Sequence, residues 1–320
     1  MKIRFIILLV CSILAGCSTA GPLKVEDYNS ENITIRTTVV PDAEKWKRAT
    51  TQWALGDITP LIPAFAGKGL LMASWTPSKN PDAPTFVIAH GGGGIGPMLL
   101  FMGADLRALT NANILILDSI WSRGRATNGG DSIQRSGRTL SSNVRMFDLA
   151  AAGKWLATQG VDPNKTYAIG ESQGGWGVLR AFTDDPMITE LVKPYYAGGV
   201  SLYPLCEEPG TKHLQVPADS YVFHKLGPYH SKVLLITGGL DTLTPISYCS
   251  DSTLKSVTKW LHWEDVTHAF NIGTHGPFKK PVDGVCQTLV NGFGTHQFCH
   301  NKQRTNEMLT EIKNFVSVEK

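Results

Sequence analysis

Residues 167–175 have the sequence YAIGESQGG, which places a Gly-x-Ser-x-Gly pattern between two kinds of local structure. Before it, 166–169 is a short apolar run typical of a buried strand, and after it apolar residues recur at helical spacing. Such a junction turns so sharply that Cβ atoms at Gly170 and Gly174 would clash. The turn exposes the hydroxyl of Ser172 at the N-terminal end of the new helix. The pattern therefore predicts a nucleophilic serine.

Two further residues are candidates to complete a catalytic set with this serine. A nucleophilic serine needs a base that takes its proton, and the base needs an acid that orients it. Asp241 follows an apolar run over 233–237, and we expect it to be this acid rather than only the cap of a following helix. Among the nine histidines, His268 is the expected base, because it follows the last apolar run and comes after Asp241. Nucleophile, acid and histidine then occur in a chain order found in known hydrolases.

A glycine-rich loop, HGGGGIGP at 90–97, follows the apolar run 85–89. In acyl-transfer enzymes such a loop supplies backbone N–H groups that bind the oxyanion of the tetrahedral intermediate. We expect the N–H of Gln173, next to the serine, and the N–H of Gly92 to be the two donors. His90 begins the loop and is a candidate to orient it or to contact substrate; a buried, hydrogen-bonded histidine is the alternative.

The same loop also fits a dinucleotide-binding motif. Gly91, Gly93 and Gly96 have the required spacing, and Asp118 follows about 20 residues later, as a ribose-binding acid would. The chain would then be an oxidoreductase. However, Pro97 interrupts the start of the next helix, and at least two predicted strands precede the one that leads into the loop. This interpretation also leaves the Gly-x-Ser-x-Gly stretch unexplained. This interpretation is the weaker alternative, and no cofactor is expected.

The N-terminus predicts export. Two basic residues precede an apolar run of about ten residues, too short for a membrane span of roughly 20. The run ends in Leu-Ala-Gly-Cys, which is similar to the lipobox of bacterial lipoproteins. We therefore expect residues 1–16 to be a signal peptide, Cys17 to carry lipid and residues 17–30 to be a tether. Ser18 favours the outer membrane, facing the periplasm; an ordinary cleaved signal is the alternative.

Residues 31–320 are expected to form a single domain. Loss of the signal peptide removes two of the 30 basic residues and none of the 27 acidic ones, so the exported chain has nearly balanced charge. This balance gives no support for a nucleic-acid partner or a basic membrane-binding surface, so the lipid is the expected membrane contact. The sequence is 42% hydrophobic, which is sufficient for a large core.

Besides two cysteines in the first 17 residues, the chain contains Cys206, Cys249, Cys286 and Cys299. Four cysteines allow three pairings, and disulfides are the usual outcome in an exported protein. We favour Cys206–Cys249 and Cys286–Cys299, because each pair lies in segments that the predicted fold brings together. A metal site formed by the last two cysteines with His296 and His300 is the alternative; no metal is expected.

Predicted strands and helices alternate, which indicates an α/β fold with a mainly parallel sheet of about eight strands and helices on both faces. The predicted strands are 32–40, 70–75, 85–89, 114–117, 166–169, 198–203, 232–237 and 261–266. The predicted helices are 97–112, 144–158, one that begins near 176, 246–259 and 307–316.

Together these features resemble the dienelactone-hydrolase branch of the α/β-hydrolase superfamily, especially its exported, disulfide-bearing members. The resemblance covers about 85–270 and rests on HGGGG at 90–94, DSxxxRG at 118–124, GxSQGG at 170–175, GxDxxxP at 239–245 and HAF at 268–270. It implies the α/β-hydrolase fold, and the pair Cys206–Cys249 matches a cysteine pair of that branch. Two features depart from the family. Ser172 stands where the namesake enzymes have a cysteine nucleophile, and residues 271–298 form an extra segment that is either a lid or a decorated edge.

The resemblance implies cleavage of a small carboxylic ester or lactone through an acyl-serine. Arg123 is a candidate to bind a substrate carboxylate, with a structural ion pair as the alternative. Trp121 and Trp176 are candidates to line an acyl pocket, with a place in the core as the alternative. Peptidase or amidase activity and a non-catalytic envelope lipoprotein on the same scaffold also stay open, because fold analogy does not select a substrate.

Overall fold

The computed structural model describes residues 61–63, 70–95, 97–120, 142–206, 226–271, 282–291 and 294–317. The predicted signal peptide and tether, Cys17, the predicted strand 32–40, Trp121 and Arg123 lie outside these described residues. Within the described ranges, no helix has the length and apolar character needed to cross a membrane.

An eight-stranded, mainly parallel sheet forms the centre of the protein. Its strands are β1 (Leu61–Pro63), β2 (Leu70–Thr76), β3 (Thr85–Ala89), β4 (Asn113–Asp118), β5 (Thr166–Glu171), β6 (Gly198–Leu202), β7 (Lys232–Gly238) and β8 (Lys259–Trp263). They lie in the order β1-β2-β4-β3-β5-β6-β7-β8. β2 is antiparallel to both of its neighbours, and the strands from β4 to β8 are mutually parallel. The predicted sheet is therefore confirmed.

The central strands are buried on both faces. Every residue of β3 and β5 is buried, which agrees with their continuous apolar sequences. Because β3 and β5 to β8 run in one direction, the residues that follow them meet at one edge of the sheet. We call this edge the carboxyl edge. It is where open α/β sheets bind ligands.

Helices cover both faces of the sheet. They are α1 (Pro97–Thr110), α2 (Ser142–Thr158), α3 (Gln173–Phe182), α4 (Pro186–Val192), α5 (Asp251–Ser256) and α6 (Lys302–Ser317). Leu106 of α1 and Ile312 of α6 belong to one hydrophobic core. Leu149 of α2 and Leu179 of α3 belong to the core on the other face. These four helices thus bury apolar side chains against the sheet.

The predicted helix 246–259 is wrong as a continuous element. The chain forms a 3-10 helix over Ile246–Tyr248, and Ser250 then starts a new helix by accepting the N–H of Thr253 at 3.2 Å. That helix, α5, ends at Ser256. Apolar periodicity did not reveal the break, because a side-chain cap produces it.

The last strand of the eight-stranded sheet and the last helix also differ from their predicted bounds. β8 begins at Lys259 rather than at residue 261, because pairing with β7 already starts there. The final helix begins at Lys302 rather than at residue 307. Its start is capped by Asn301, whose Oδ1 accepts the N–H of Arg304 at 3.0 Å.

Both predicted disulfides are present. Cys206–Cys249 joins the segments that follow β6 and β7. Cys286–Cys299 closes an antiparallel hairpin of β9 (Cys286–Asn291) and β10 (Gly294–Cys299), in which the two cysteines are directly opposite each other. The alternative metal site needs these two sulfurs as free thiolates, so the disulfide disfavours it.

Candidate active site

Ser172 lies in a tight turn between β5 and α3. Its backbone φ of 54° is in the left-handed region, which residues other than glycine adopt only when the surrounding structure imposes it. A Cβ at Gly170 would lie 2.2 Å from the carbonyl oxygen of Gly174, and a Cβ at Gly174 would lie 2.2 Å from that of Ala89. The predicted need for glycine at both positions is confirmed. Ser172 precedes the first turn of α3, whose N–H groups have no partner within the helix.

Asp241 and His268 are hydrogen-bonded to each other at the carboxyl edge. Asp241 follows β7 and His268 follows β8; the His268 Nδ1 is 2.8 Å from the Asp241 Oδ2, and both side chains are buried. The other carboxylate oxygen accepts the N–H groups of Leu243 at 2.9 Å and Thr244 at 2.8 Å. With Nδ1 donating to the carboxylate, Nε2 is the ring nitrogen that can accept a proton.

Asp241 is held as a carboxylate although it is buried. Burial disfavours the charge, but the attraction of His268 and the hydrogen bonds from His268 and Thr244 outweigh it, so the pKa of Asp241 is lowered from its usual 3.8. The stability that this lowered pKa contributes is present above the pKa of the unfolded chain. It is lost as the pH falls through the lower pKa of the folded state.

Thr244 is a contributor that sequence reasoning missed. Its Oγ1 lies 2.9 Å from both the Asp241 Oδ2 and the His268 Nδ1, and 3.1 Å from the carbonyl oxygen of Tyr203. One hydroxyl therefore contacts the acid, the base and the segment after β6. The available signal was its place three residues after an aspartate, where local hydrogen bonds are common.

Ser172 and His268 reach the carboxyl edge from different strands. The N–H of Ser172 donates to the carbonyl oxygen of Leu202 at 2.9 Å, so the serine lies beside the end of β6. The next residue, Tyr203, packs its ring against the imidazole of His268 with centroids 4.8 Å apart. Among the described residues, no hydrogen bond joins Ser172 to His268. Catalytic hydrogen bonds of this kind are often long without substrate and shorten in the complex.

The glycine-rich loop after β3 lies directly over the serine. A Cβ at Gly91 would lie 3.3 Å from the Cβ of Ser172, and a Cβ at Gly92 would lie 3.1 Å from the side-chain amide of Gln173. The loop is folded by a turn in which the N–H of Gly94 donates to the carbonyl oxygen of Gly91 at 3.3 Å. Glycine leaves room for this close approach, whereas a side chain at Gly91 or Gly92 would crowd Ser172 or Gln173.

Arg145, on α2, holds the loop in place. Its Nη1 donates to the carbonyl oxygen of His90 at 2.7 Å and its Nη2 to that of Gly91 at 3.2 Å. In a trans peptide the C=O and the following N–H point in opposite directions. The N–H groups of Gly91 and Gly92 are therefore turned away from Arg145. Sequence reasoning missed this residue, because nothing local connects it to a loop more than 50 positions earlier.

His90 is fully buried beneath the same loop. Its Nε2 faces the N–H of Ser119 at 3.1 Å and must accept that hydrogen, which assigns the ring proton to Nδ1. The Nδ1 then donates to the carbonyl oxygen of Gly91 at 2.6 Å. His90 thus orients the loop and offers no surface to a substrate. The expectation that it contacts substrate is therefore wrong.

Asp118 and Trp176 lie away from any ligand surface. Asp118 is fully buried and accepts the N–H of Ile120 at 2.9 Å, whereas an acid that binds ribose has to be accessible. The loop glycine Gly91 already faces the serine, so this geometry disfavours the dinucleotide interpretation. Trp176 is 3% exposed and packs in the core between the sheet and α2, so it does not line an acyl pocket.

The hairpin β9–β10 supports the acid and base loops from the side. The ring of Phe298 lies 5.4 Å from the imidazole of His268. The Nδ1 of His296 is 3.0 Å from the Oγ1 of Thr242, in the loop that carries the acid. The described part of the extra segment 271–298 thus includes a hairpin that its disulfide closes and that contacts the candidate site through Phe298 and His296.

Comparison with solved structures finds the same architecture in several proteins. A dienelactone-hydrolase candidate from Klebsiella pneumoniae superposes with a TM-score of 0.59 at 14% identity, over 82% of this chain and 98% of the other. An esterase from Pyrobaculum calidifontis gives 0.51 at 15% identity, over 85% and 91%. Esterase 2 from Thermogutta terrifontis gives 0.50 at 14% identity, over 81% and 93%.

Neither a protein-family model nor a curated protein matches the sequence. The assignment therefore rests on the strand order, on the serine turn between β5 and α3, and on the structural neighbours. On these grounds the chain has the α/β-hydrolase fold.

Proposed function

We propose that this protein is a serine hydrolase that cleaves a small carboxylic ester or lactone. The observation that carries the proposal is the hydrogen-bonded pair of Asp241 and His268 at the sheet edge where the strained turn presents Ser172. An acid, a base and a nucleophile supplied by three separate strands are what acyl transfer requires. The names of the structural neighbours, a dienelactone-hydrolase candidate and two esterases, agree with this reaction class.

The proposed reaction has two steps. His268, oriented by Asp241, takes the proton of Ser172 through Nε2 while the serine oxygen attacks the carbonyl carbon. The oxyanion binds to the N–H of Gln173 and to the N–H of Gly92, which Arg145 turns away from itself. Collapse of this intermediate expels the alcohol, which receives the proton from His268. Water, deprotonated by the same nitrogen, then attacks the acyl-serine. Collapse of the second intermediate releases the acid, and the Ser172 oxygen takes the proton back from His268.

The decisive experiment is a panel of esters, lactones and peptide amides that varies in acyl length and charge. Saturable cleavage of an ester or lactone, with a fluorophosphonate adduct on Ser172, is the expected result. Cleavage of amides in preference to esters would instead favour a peptidase. Absence of both turnover and the adduct would leave a non-catalytic scaffold as the better explanation. Bound nicotinamide in the purified protein would revive the dinucleotide interpretation.

Arg145→Gln should lower kcat by about tenfold or more and change KM little. The shorter amide cannot hold both loop carbonyls, and each hydrogen bond from a charged group contributes about 1.5–3 kcal/mol. Steady-state kinetics on the best ester of the panel measures this effect, and Arg145→Lys should recover part of it. The matched control is Arg107→Gln, because Arg107 also donates to backbone carbonyls, those of Thr76 and Pro77, at the opposite edge of the sheet. An equal loss of kcat in both variants would contradict a specific role for Arg145.

We further propose that the protein is exported and anchored by lipid on Cys17, facing the periplasm from the outer membrane. The support is the basic start, the short apolar run and the Leu-Ala-Gly-Cys sequence. Expression with an alkyne-labelled fatty acid should label the wild type and leave Cys17→Ser unlabelled and unprocessed. Cys11→Ser is the control and should be labelled normally. Labelling that survives in Cys17→Ser would contradict the anchor.

A further inference from the structure

Glu171 is a buried acid that the proposed mechanism does not use. It is the last residue of β5, directly before Ser172, and its side chain is fully buried. The Nδ2 of Asn271 donates to its Oε1 at 3.0 Å. Among the described residues, its Oε2 is buried and has no hydrogen-bond partner. A buried polar atom left without a partner is costly, and an ionised one is costlier.

The partners of Glu171 belong to the loop that carries the base. Asn271 comes three residues after His268, and its Oδ1 accepts the hydroxyl of Tyr203 at 2.7 Å. The ring of Tyr203 packs edge-on against His268, with centroids 4.8 Å apart. The hydroxyl of Tyr203 also interacts with the carboxyl of Glu171. This cluster of Glu171, Tyr203 and Asn271 therefore connects the strand of the nucleophile to the loop of the base.

One protonation state would satisfy all three members of the cluster. Tyr203 gives its proton to Asn271, so its oxygen is left as an acceptor, and Asn271 gives an N–H to Glu171. A hydrogen on the Glu171 carboxyl, which interacts with the Tyr203 hydroxyl, would supply the donor for a third hydrogen bond and so close a ring. A carboxylate has no such hydrogen, and both it and the Tyr203 oxygen would then be acceptors.

The electrostatic surroundings agree with this state. Burial raises the pKa of Glu171 to about 7, and its interactions with Asn271 and Tyr203 lower it by less. The ionisable groups on the elements packed around it are His90 after β3, Tyr203 after β6, Asp241 after β7 and His268 after β8.

We propose that Glu171 is a neutral acid that closes a hydrogen-bonded ring with Tyr203 and Asn271, and so positions His268 relative to Ser172. The positioning role rests on the proposed function, whereas the neutral state does not. Glu171 is a positioning residue, because its buried side chain presents no surface to substrate. Ionisation would open the ring and place a negative charge beside the carbon that Ser172 attacks, so kcat should fall with little change in KM.

The neutral state is tested without any activity by Glu171→Gln. Glutamine keeps the acceptor for Asn271 and supplies a permanent N–H for Tyr203. A folded pKa raised from 4.5 to about 7 stabilises the wild type fully below pH 4.5, and this contribution is lost as the pH rises through about 7. The difference in Tm between Glu171→Gln and the wild type should therefore increase from pH 4.5 to about 7, in favour of the variant, and stay constant above that pH. Asp162→Asn, an exposed acid at the opposite end of β5, should show no such trend. A Tm difference for Glu171→Gln that does not change with pH would overturn the proposal that Glu171 is neutral.

The positioning role is tested by the pH profile of kcat. Wild-type kcat should be about tenfold below its limiting value at pH 8, because one ionisation near pH 7 leaves about a tenth of the protein protonated there. Glu171→Gln should match the wild type within about threefold at pH 6 and lack this decline. Asn271→Ala removes a donor that lowers the pKa of Glu171. The decline of kcat with rising pH should therefore occur at higher pH in this variant than in the wild type. Identical profiles for wild type and Glu171→Gln would overturn the positioning role.

A wild type inactive on every ester would refute the proposed function, and the Tm series would still decide the protonation state of Glu171.

Discussion

Ser172→Ala is expected to reduce kcat on the best ester by about 10⁶-fold, to a residual rate set by the rest of the site. The hydroxyl is the proposed nucleophile, and no neighbouring side chain can replace it in covalent catalysis. Alanine keeps the Cβ, so the turn at φ 54° and its contact with Gly91 should persist. The Tm should therefore change little. Steady-state kinetics measure the loss of kcat, and intact-protein mass after fluorophosphonate treatment measures the loss of the serine adduct.

A suitable control is Ser252→Ala, in the partly exposed helix α5, which should keep full activity and one adduct. Wild-type turnover that survives in Ser172→Ala would show that another group attacks the substrate. An adduct that forms equally on Ser172→Ala would place the reactive serine elsewhere. A large drop in Tm would mean that the loss of activity reflects folding, and Ser172→Cys would then separate the two causes.

Asp241→Asn is expected to reduce kcat by about 10⁴-fold with a smaller effect on KM. An amide N–H directed at the Nδ1 of His268 forces the ring proton onto Nε2, the nitrogen that has to accept the serine proton. The size and shape of the side chain are conserved, so its hydrogen bonds from Leu243 and Thr244 can remain. A pH series of kcat on the best ester measures the effect.

The same substitution has a second, independent readout in stability. The lowered pKa of Asp241 makes the wild type lose stability as the pH falls below about 3.8, and Asp241→Asn should lack that contribution. The control Asp251→Asn changes an exposed acid at the start of α5 and should affect neither readout. If Asp241→Asn kept activity within tenfold of the wild type, Asp241 would not be the acid that orients the base.

Much of the fold was predictable because its signals are local. β3 was predicted with its observed bounds, and the other described parallel strands except β8 were predicted within about two residues, since a strand buried on both faces needs a continuous apolar run. The failures, near Ser250 and Lys259, occurred where a side-chain cap or a pairing partner distant in the chain sets the boundary. β1, α4 and the hairpin strands β9 and β10 were not predicted. β1 and α4 have too few residues to show a period.

The sequence by itself determined the serine turn and its two flanking glycines, because the Gly-x-Ser-x-Gly pattern is local. The clash that requires Gly170 is also local, whereas the one that requires Gly174 is with the end of β3, at Ala89. The sequence also placed candidates for the acid and the base after successive strands, since parallel strands bring such positions to one edge. Only the tertiary structure decided which side chains hold these groups in place. Arg145 acts on carbonyls 55 and 54 residues away, and Asn271 reaches Glu171 across 100 residues. Contacts of that separation depend on how helices and loops pack on the sheet, and no local pattern encodes them.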